Sequence, residues 1–259
     1  MLTNSPKPTS NAAIVDSRVF NERAFFPRPD RSAPPPGAED HAVQVPGASL
    51  HMRVYRVPEA RAAVLLFHGN GEVVRDYDAV ARIFAASGAE LAVVDFRGYG
   101  ASTGTPTLRN SIEDSIAAFG QFQSLCRGKS LFVMGRSLGS ACAAHLFSTL
   151  PEGAVAGVII ESGFSSLSRL IQRRGLSPVA GSAKDAFFDP IEKYSRGTFP
   201  LLIVHGESDH IIESKEAEDA LRAAGSKEKR LVIVKGRDHN DVSEGSEYWP
   251  AIDGFINAR

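Results

Sequence analysis

Cysteine is scarce in this chain: there are two, Cys126 and Cys142. Two thiols cannot build a disulfide framework, and both fall in segments that read as helical, so reduced, buried thiols are expected. The seven histidines (41, 51, 68, 145, 205, 210 and 239) are scattered, with no H-E-x-x-H and no zinc spacing. No apolar run approaches the ~18 residues of a membrane span. The stretch Met1 to Pro8 lacks the apolar core of a secretory signal. A charge surplus is missing as well: 29 Lys and Arg face 30 Asp and Glu, for a formal net charge of −1. That balance argues against a dedicated nucleic-acid binder, which shows a basic excess. The expectation is a cytoplasmic protein with no integral membrane segment.

What is present is ordinary globular composition. Hydrophobic residues make up 43% and charged residues 23% of 259, enough for a large core without staples. Residues 1–40 are the least regular, broken by Pro27, Pro29 and Pro34-Pro35-Pro36-Gly37. They read as a Pro-rich arm, its first dozen residues mobile and the remainder lying on the domain through Val19, Phe20, Phe25 and Phe26. Residues 41–259 read as one domain. It opens with two strands joined at Pro46-Gly47, a hairpin signal. Continuous apolar runs follow: Ala62–Phe67, Leu91–Val94, Leu131–Met134, Val155–Ile160, Leu201–Val204 and Leu231–Val234. Such runs suit parallel strands buried on both faces. Helices are expected at Tyr77–Ser87, Asn110–Cys126, Leu138–Thr149, Glu213–Ala224 and Glu244–Asn257. In the second, Ile112, Ile116, Phe119 and Phe122 mark the apolar face. Alternating strands and helices predict an α/β fold, a mostly parallel central sheet with helices on both faces. Residues 165–199 interrupt the alternation and read as a small lid.

Gly135-Arg136-Ser137-Leu138-Gly139 lies between an apolar run and a helix start, the G-x-S-x-G context of a nucleophile elbow. A sharp strand-to-helix turn raises the serine hydroxyl above the sheet edge, and side chains at 135 and 139 would clash there. A serine hydroxyl needs a base. Asp209 and His239 each follow a later apolar run, at the sheet edge where strand carboxyl ends gather. Ser137, Asp209 and His239 therefore form a candidate triad, with Glu161, at the end of Val155–Ile160, as the reserve acid. Asp238 adjoins His239 but is not expected to face it. The candidate oxyanion donors are the backbone N–H groups of Leu138 and, in His68-Gly69-Asn70-Gly71, of Asn70, with Gly71 as the alternative. His68 is expected to shape that loop. Gly128-Lys129-Ser130 precedes a strand and makes a poor phosphate loop.

These blocks, with Asp95-Phe96-Arg97-Gly98-Tyr99-Gly100, Gly206-Glu207-Ser208-Asp209 and Asp238-His239-Asn240, resemble the α/β-hydrolase superfamily. The nearest likeness is to small-lid, serine-aminopeptidase-like hydrolases, including relatives of protein depalmitoylases. The resemblance implies an α/β-hydrolase fold and a serine hydrolase acting on esters or thioesters through an acyl-enzyme. It implies Ser137 as nucleophile, His239 as base and Asp209 as its orienting acid, with no cofactor and no metal. Many eukaryotic relatives carry an N-terminal anchor or a lipidated cysteine cluster, and neither is expected here. The expected partner is a small-molecule or acylated substrate. A peptidase or amidase on the same triad, or a catalytically silent binding protein, are the competing readings. In the lid, Leu170, Ile171, Leu176, Val179, Phe187 and Phe188 offer either an acyl pocket or a cover for the sheet. Six basic residues there (Arg169, Arg173, Arg174, Lys184, Lys193, Arg196) face three acidic ones. They read as a solvated surface or as a site for an acidic substrate group.

Overall fold

The computed structural model describes residues 8–259. The chain begins with two short helices, α1 (Asn11–Val15) and α2 (Arg18–Ala24), capped by the hydroxyls of Ser10 and Ser17. Strands β1 (Ala38–Val45) and β2 (Ala48–Tyr55) form the hairpin read from Pro46-Gly47, with Gly47 at φ +75°. Then come β3 (Ala62–Phe67), α3 (Ala81–Ala86), β4 (Ala89–Val94), α4 (Leu108–Leu125), β5 (Ser130–Arg136) and α5 (Ser140–Thr149). The chain continues through β6 (Gly157–Glu161), α6 (Leu167–Arg173), α7 (Pro190–Arg196), β7 (Leu201–Gly206), α8 (Lys215–Ala223), β8 (Lys229–Val234) and α9 (Tyr248–Asn257).

The eight strands form one sheet in the order β1-β2-β4-β3-β5-β6-β7-β8, and only β2 runs against the others. Strands β3, β4, β6 and β7 are buried along their whole length and β5 at all but its two end residues, which is why they read as unbroken apolar runs. Alternate residues serve opposite faces: Ala63, Leu65 and Phe67 pack toward α4, α5 and α8, while Val64 and Leu66 pack toward α3 and α9. The strand order reverses at β3, and the loops after β3 and β5 open on the same sheet edge.

Three apolar side chains depart from the sequence expectation. Ile116 is 46% exposed although it fits the α4 spacing, so the buried stripe of that helix is narrower than the pattern. Val19 and Phe26 are also exposed, whereas Phe20 and Phe25 are buried in the core. The expected mobility of the first dozen residues falls partly on 1–7, outside the described residues. From Ser10 onward the segment is held: Asn11 donates its N–H to Ser182 Oγ at 2.9 Å and accepts from the Val179 N–H at 2.8 Å. Both cysteines are free and buried, Cys142 within α5 and Cys126 closing α4. Among the described residues, no helix is long and apolar enough to cross a membrane.

Candidate active site

Ser137 sits where β5 turns into α5, with φ at +50°, a region that L residues seldom occupy. The flanking glycines have a steric reason. A Cβ at Gly139 would lie 2.0 Å from the carbonyl oxygen of Phe67, and one at Gly135 would lie 2.6 Å from that of Gly139. The helix start is thus pressed against the end of β3, where only hydrogen fits. Ser140 Oγ donates to the Ser137 carbonyl at 2.6 Å and stiffens the turn.

The structure brings Ser137, His239 and Asp209 together. His239 Nε2 lies 2.9 Å from Ser137 Oγ, and Nδ1 lies 2.7 Å from Asp209 Oδ2. With Nδ1–H donating to the carboxylate, Nε2 is left to accept the serine proton. Both His239 and Asp209 are 5% exposed, so these bonds lie largely out of water. Asp209 is also held by its neighbours: Oδ1 accepts the N–H groups of Ile211 at 2.9 Å and Ile212 at 2.8 Å. Burial works against its charge, but the bonds from His205, His239 and Ile212 outweigh it and keep the carboxyl well below its usual range. His205, fully buried, places Nε2 2.6 Å from the Ile212 carbonyl and 3.2 Å from Asp209 Oδ2. The sequence reading did not single out that brace.

Glu161, the reserve acid, points elsewhere. Its Oε1 meets Arg136 Nη1 at 2.7 Å, and its Oε2 accepts the Tyr248 hydroxyl at 2.6 Å. Asp238 turns to His210 Nδ1 at 2.8 Å and touches His239 only through the backbone N–H. His68 is buried, stacked edge-on against Phe96, with Nδ1 at 2.7 Å from the Gly69 carbonyl oxygen. It shapes the loop after β3 and does not reach the triad.

That loop carries Asn70, whose backbone N–H has no acceptor among the described residues. The side chain is committed: Nδ2 donates to the Ala24 carbonyl at 2.8 Å, and Oδ1 accepts from Tyr99 at 2.6 Å and from the Phe26 N–H at 3.0 Å. Leu138 begins the turn into α5, where the first N–H groups of a helix lack internal partners.

The 165–199 segment contains α6 and α7. Leu170, Ile171 and Phe188 are buried in the body's core, and Leu176, Val179 and Phe187 pack against it. They cover the body. Two of the basic residues reach acids outside the segment: Arg173 pairs with Glu216, and Arg169 Nη1 lies 3.5 Å from Asp219, whereas the exposed Lys184 pairs with Glu192 within it and Arg196 is exposed. Lys193 is 2% exposed, and burial pushes its ammonium down to about 8.

A family model described as serine aminopeptidase, S33, matches residues 58–185. The fission-yeast (Schizosaccharomyces pombe) protein bem46 is 28% identical over 209 residues, covering 77% of this chain and 68% of that protein. Human alpha/beta hydrolase domain-containing protein 17B is 26% identical over 210 residues, with the same coverage of 77% and 68%. The esterase Pf2001 of Pyrococcus furiosus superposes with a TM-score of 0.74 at 15% identity, covering 90% of this chain and 98% of that one. The chain has the α/β-hydrolase fold, and these matches support its membership of the α/β-hydrolase superfamily. For this α/β-hydrolase, strand order, elbow and loop positions all agree with that membership, and its matches support a hydrolase.

Proposed function

We propose that this protein is a serine hydrolase that cleaves carboxylic ester or thioester bonds through an acyl-enzyme. The observation that carries the reading is His239, which bridges Asp209 at 2.7 Å and Ser137 at 2.9 Å. His239 Nε2 takes the Ser137 proton as Oγ attacks the carbonyl carbon. The backbone N–H groups of Asn70 and Leu138 hold the oxyanion. His239 then protonates the leaving alcohol or thiol, and water, activated by the same nitrogen, releases the acid. Asp209 keeps Nδ1 protonated and offsets the imidazolium charge. The esterase likeness of Pf2001 supports an ester substrate. A cytoplasmic setting and a small-molecule or acylated substrate belong to the same proposal.

The family model's aminopeptidase description favours one second reading, amide cleavage on the same triad. A chain-length series of p-nitrophenyl esters and acyl thioesters, run beside amino-acid p-nitroanilides, separates the two. The ester reading expects turnover of the first set, abolished in Ser137→Ala, and labelling of Ser137 by a serine-directed phosphonate. Turnover confined to the anilides replaces ester with amide. Absence of labelling removes the enzyme reading in favour of a silent, binding role.

A further inference from the structure

We propose that Arg136 is a positioning residue that clamps the oxyanion loop to the loop carrying the base. The inference rests on the serine-hydrolase reading. Arg136 immediately precedes Ser137, and its side chain is 13% exposed. Its planar guanidinium reaches three separate pieces of chain. Nε donates to Glu72 Oε1 at 2.7 Å, and Nη1 donates both to Glu161 Oε1 at 2.7 Å and to the His239 carbonyl oxygen at 3.2 Å.

Each partner leads onward. Glu72 Oε2 accepts the backbone N–H of Gly69 at 2.7 Å and the Tyr77 hydroxyl at 2.6 Å. Gly69 is the residue before Asn70, so Glu72 fixes the direction in which the oxyanion donor points. Glu161 is anchored by Tyr248 of α9. A single guanidinium thus connects the loop after β3, the end of β6 and the backbone of the base itself. The cluster adjoins a cavity of about 320 Å³ lined by Phe84 of α3, Tyr248 and Trp249 of α9, and Met134. Glu72, Arg136 and Glu161 all line that cavity and Ser137 does not, so they act on the site through the chain segments they hold.

The chemistry requires arginine here. A lysine ammonium is a point charge on a flexible stem and cannot hold two carboxylates and a carbonyl along fixed directions. Around a reacting centre, a displacement of about 1 Å costs on the order of 10²-fold in rate. Loss of the clamp therefore acts on the chemical step, while substrate affinity is set elsewhere.

The test uses the full chain with Arg136→Lys, Glu72→Gln and the double variant. Glu72→Gln retains an oxygen for the Gly69 N–H but turns an amide N–H₂ toward Arg136, so it breaks only the clamp. Should Arg136→Lys fail to fold, Glu72→Gln carries the test alone. Three quantities are read: kcat and KM on a turned-over p-nitrophenyl ester, the rate of phosphonylation of Ser137, and the fraction of protein that becomes labelled. The clamp expects the labelled fraction of each variant to match wild type. It expects kcat and the phosphonylation rate to fall about 10- to 100-fold, with KM within about 3-fold. The double variant should fall no further than the worse single, because the two residues act as one unit. A kcat within about 3-fold of wild type overturns the clamp. So does a loss confined to the labelled fraction, the mark of a merely structural role, and so does full additivity. Wild type that is not labelled at all overturns the serine-hydrolase reading, and the clamp with it.

Discussion

Asn70 Oδ1 accepts the backbone N–H of Phe26 at 3.0 Å, which bonds the N-terminal segment to the loop that follows β3. The same carboxamide holds the Ala24 carbonyl and the Tyr99 hydroxyl. Asn70→Ala keeps the backbone N–H but strands the Ala24 carbonyl and takes the acceptor from the Tyr99 hydroxyl, while the Phe26 N–H keeps the Tyr99 hydroxyl oxygen at 2.8 Å. A buried polar group left without its partner costs about 1–3 kcal/mol. The expected outcome is a melting temperature lower by several degrees and a kcat reduced about 10-fold. Tyr99→Phe removes one of the three bonds and should show a smaller change in both. A kcat equal to wild type in Asn70→Ala would show that the brace does not bear on the oxyanion donor.

Asp209→Asn is expected to lower kcat by roughly 10⁴-fold with the fold intact. The asparagine can keep Oδ1 for the Ile211 and Ile212 N–H groups but places an N–H₂ against His239 Nδ1. That favours the wrong tautomer and removes the charge that offsets the imidazolium. Glu161→Gln should cost far less, because its side chain contacts Arg136 and Tyr248 and stays off the imidazole. Circular dichroism beside ester turnover checks both. The reverse ranking would move the acid to Glu161.

Asp95 sets an acid limit on stability. Burial opposes its charge, but hydrogen bonds from His51 and the Val74 N–H, with His68 Nε2 3.5 Å away, outweigh that and hold its pKa at about 2. The folded value lies below the ~3.9 of an unfolded chain. Its contribution, on the order of 2 kcal/mol, is therefore present above pH ~4 and lost as pH falls toward 2. His51 works in the other direction. Burial alone would lower its pKa, but Asp95 and Asp40 raise it, so its contribution is complete below pH ~6.5 and lost as pH rises through the raised value. Melting curves from pH 2 to 8 should show both limbs in wild type and flatter limbs in Asp95→Asn. Parallel curves would remove Asp95 as the cause.

Two glycines should respond oppositely to alanine. Gly139→Ala drives a Cβ to 2.0 Å from the Phe67 carbonyl oxygen, backbone against backbone, and is expected to destabilise by on the order of 3 kcal/mol or to prevent folding. Gly120 lies on the exposed side of α4 with nothing within 4 Å of a new Cβ. Gly120→Ala should gain about 0.5–1 kcal/mol and raise the melting temperature by a few degrees. Thermal unfolding of the two variants checks the pair. Tolerance of Gly139→Ala would mean the elbow is less tightly packed than its geometry.

Much of this architecture is written in local pattern. Unbroken apolar runs such as Ala62–Phe67 and Leu201–Val204 are legible because a strand buried on both faces has no polar register to show. The elbow is legible because β5 meets α5 at a steric pinch that admits only glycine at 135 and 139, a demand made within five residues. Tertiary structure decided what depends on distant partners. Asp209 and Glu161 both end neighbouring strands, β7 and β6, and nothing in either local sequence separates them. The choice comes from Arg136, which engages Glu161, and from the loop after β7, which turns Asp209 onto His239. Ile116 and Phe26 have apolar identities that pattern assigns to the core, yet they are 46% and 58% exposed. The Arg136 clamp and the Asn70 bond to Phe26 were invisible because each joins groups far apart in sequence, whereas the His205 brace closes within seven residues and depends on how the loop after β7 turns. A side chain's identity is a local fact, whereas its partner is set by strand order and register, which arise when the whole sheet closes.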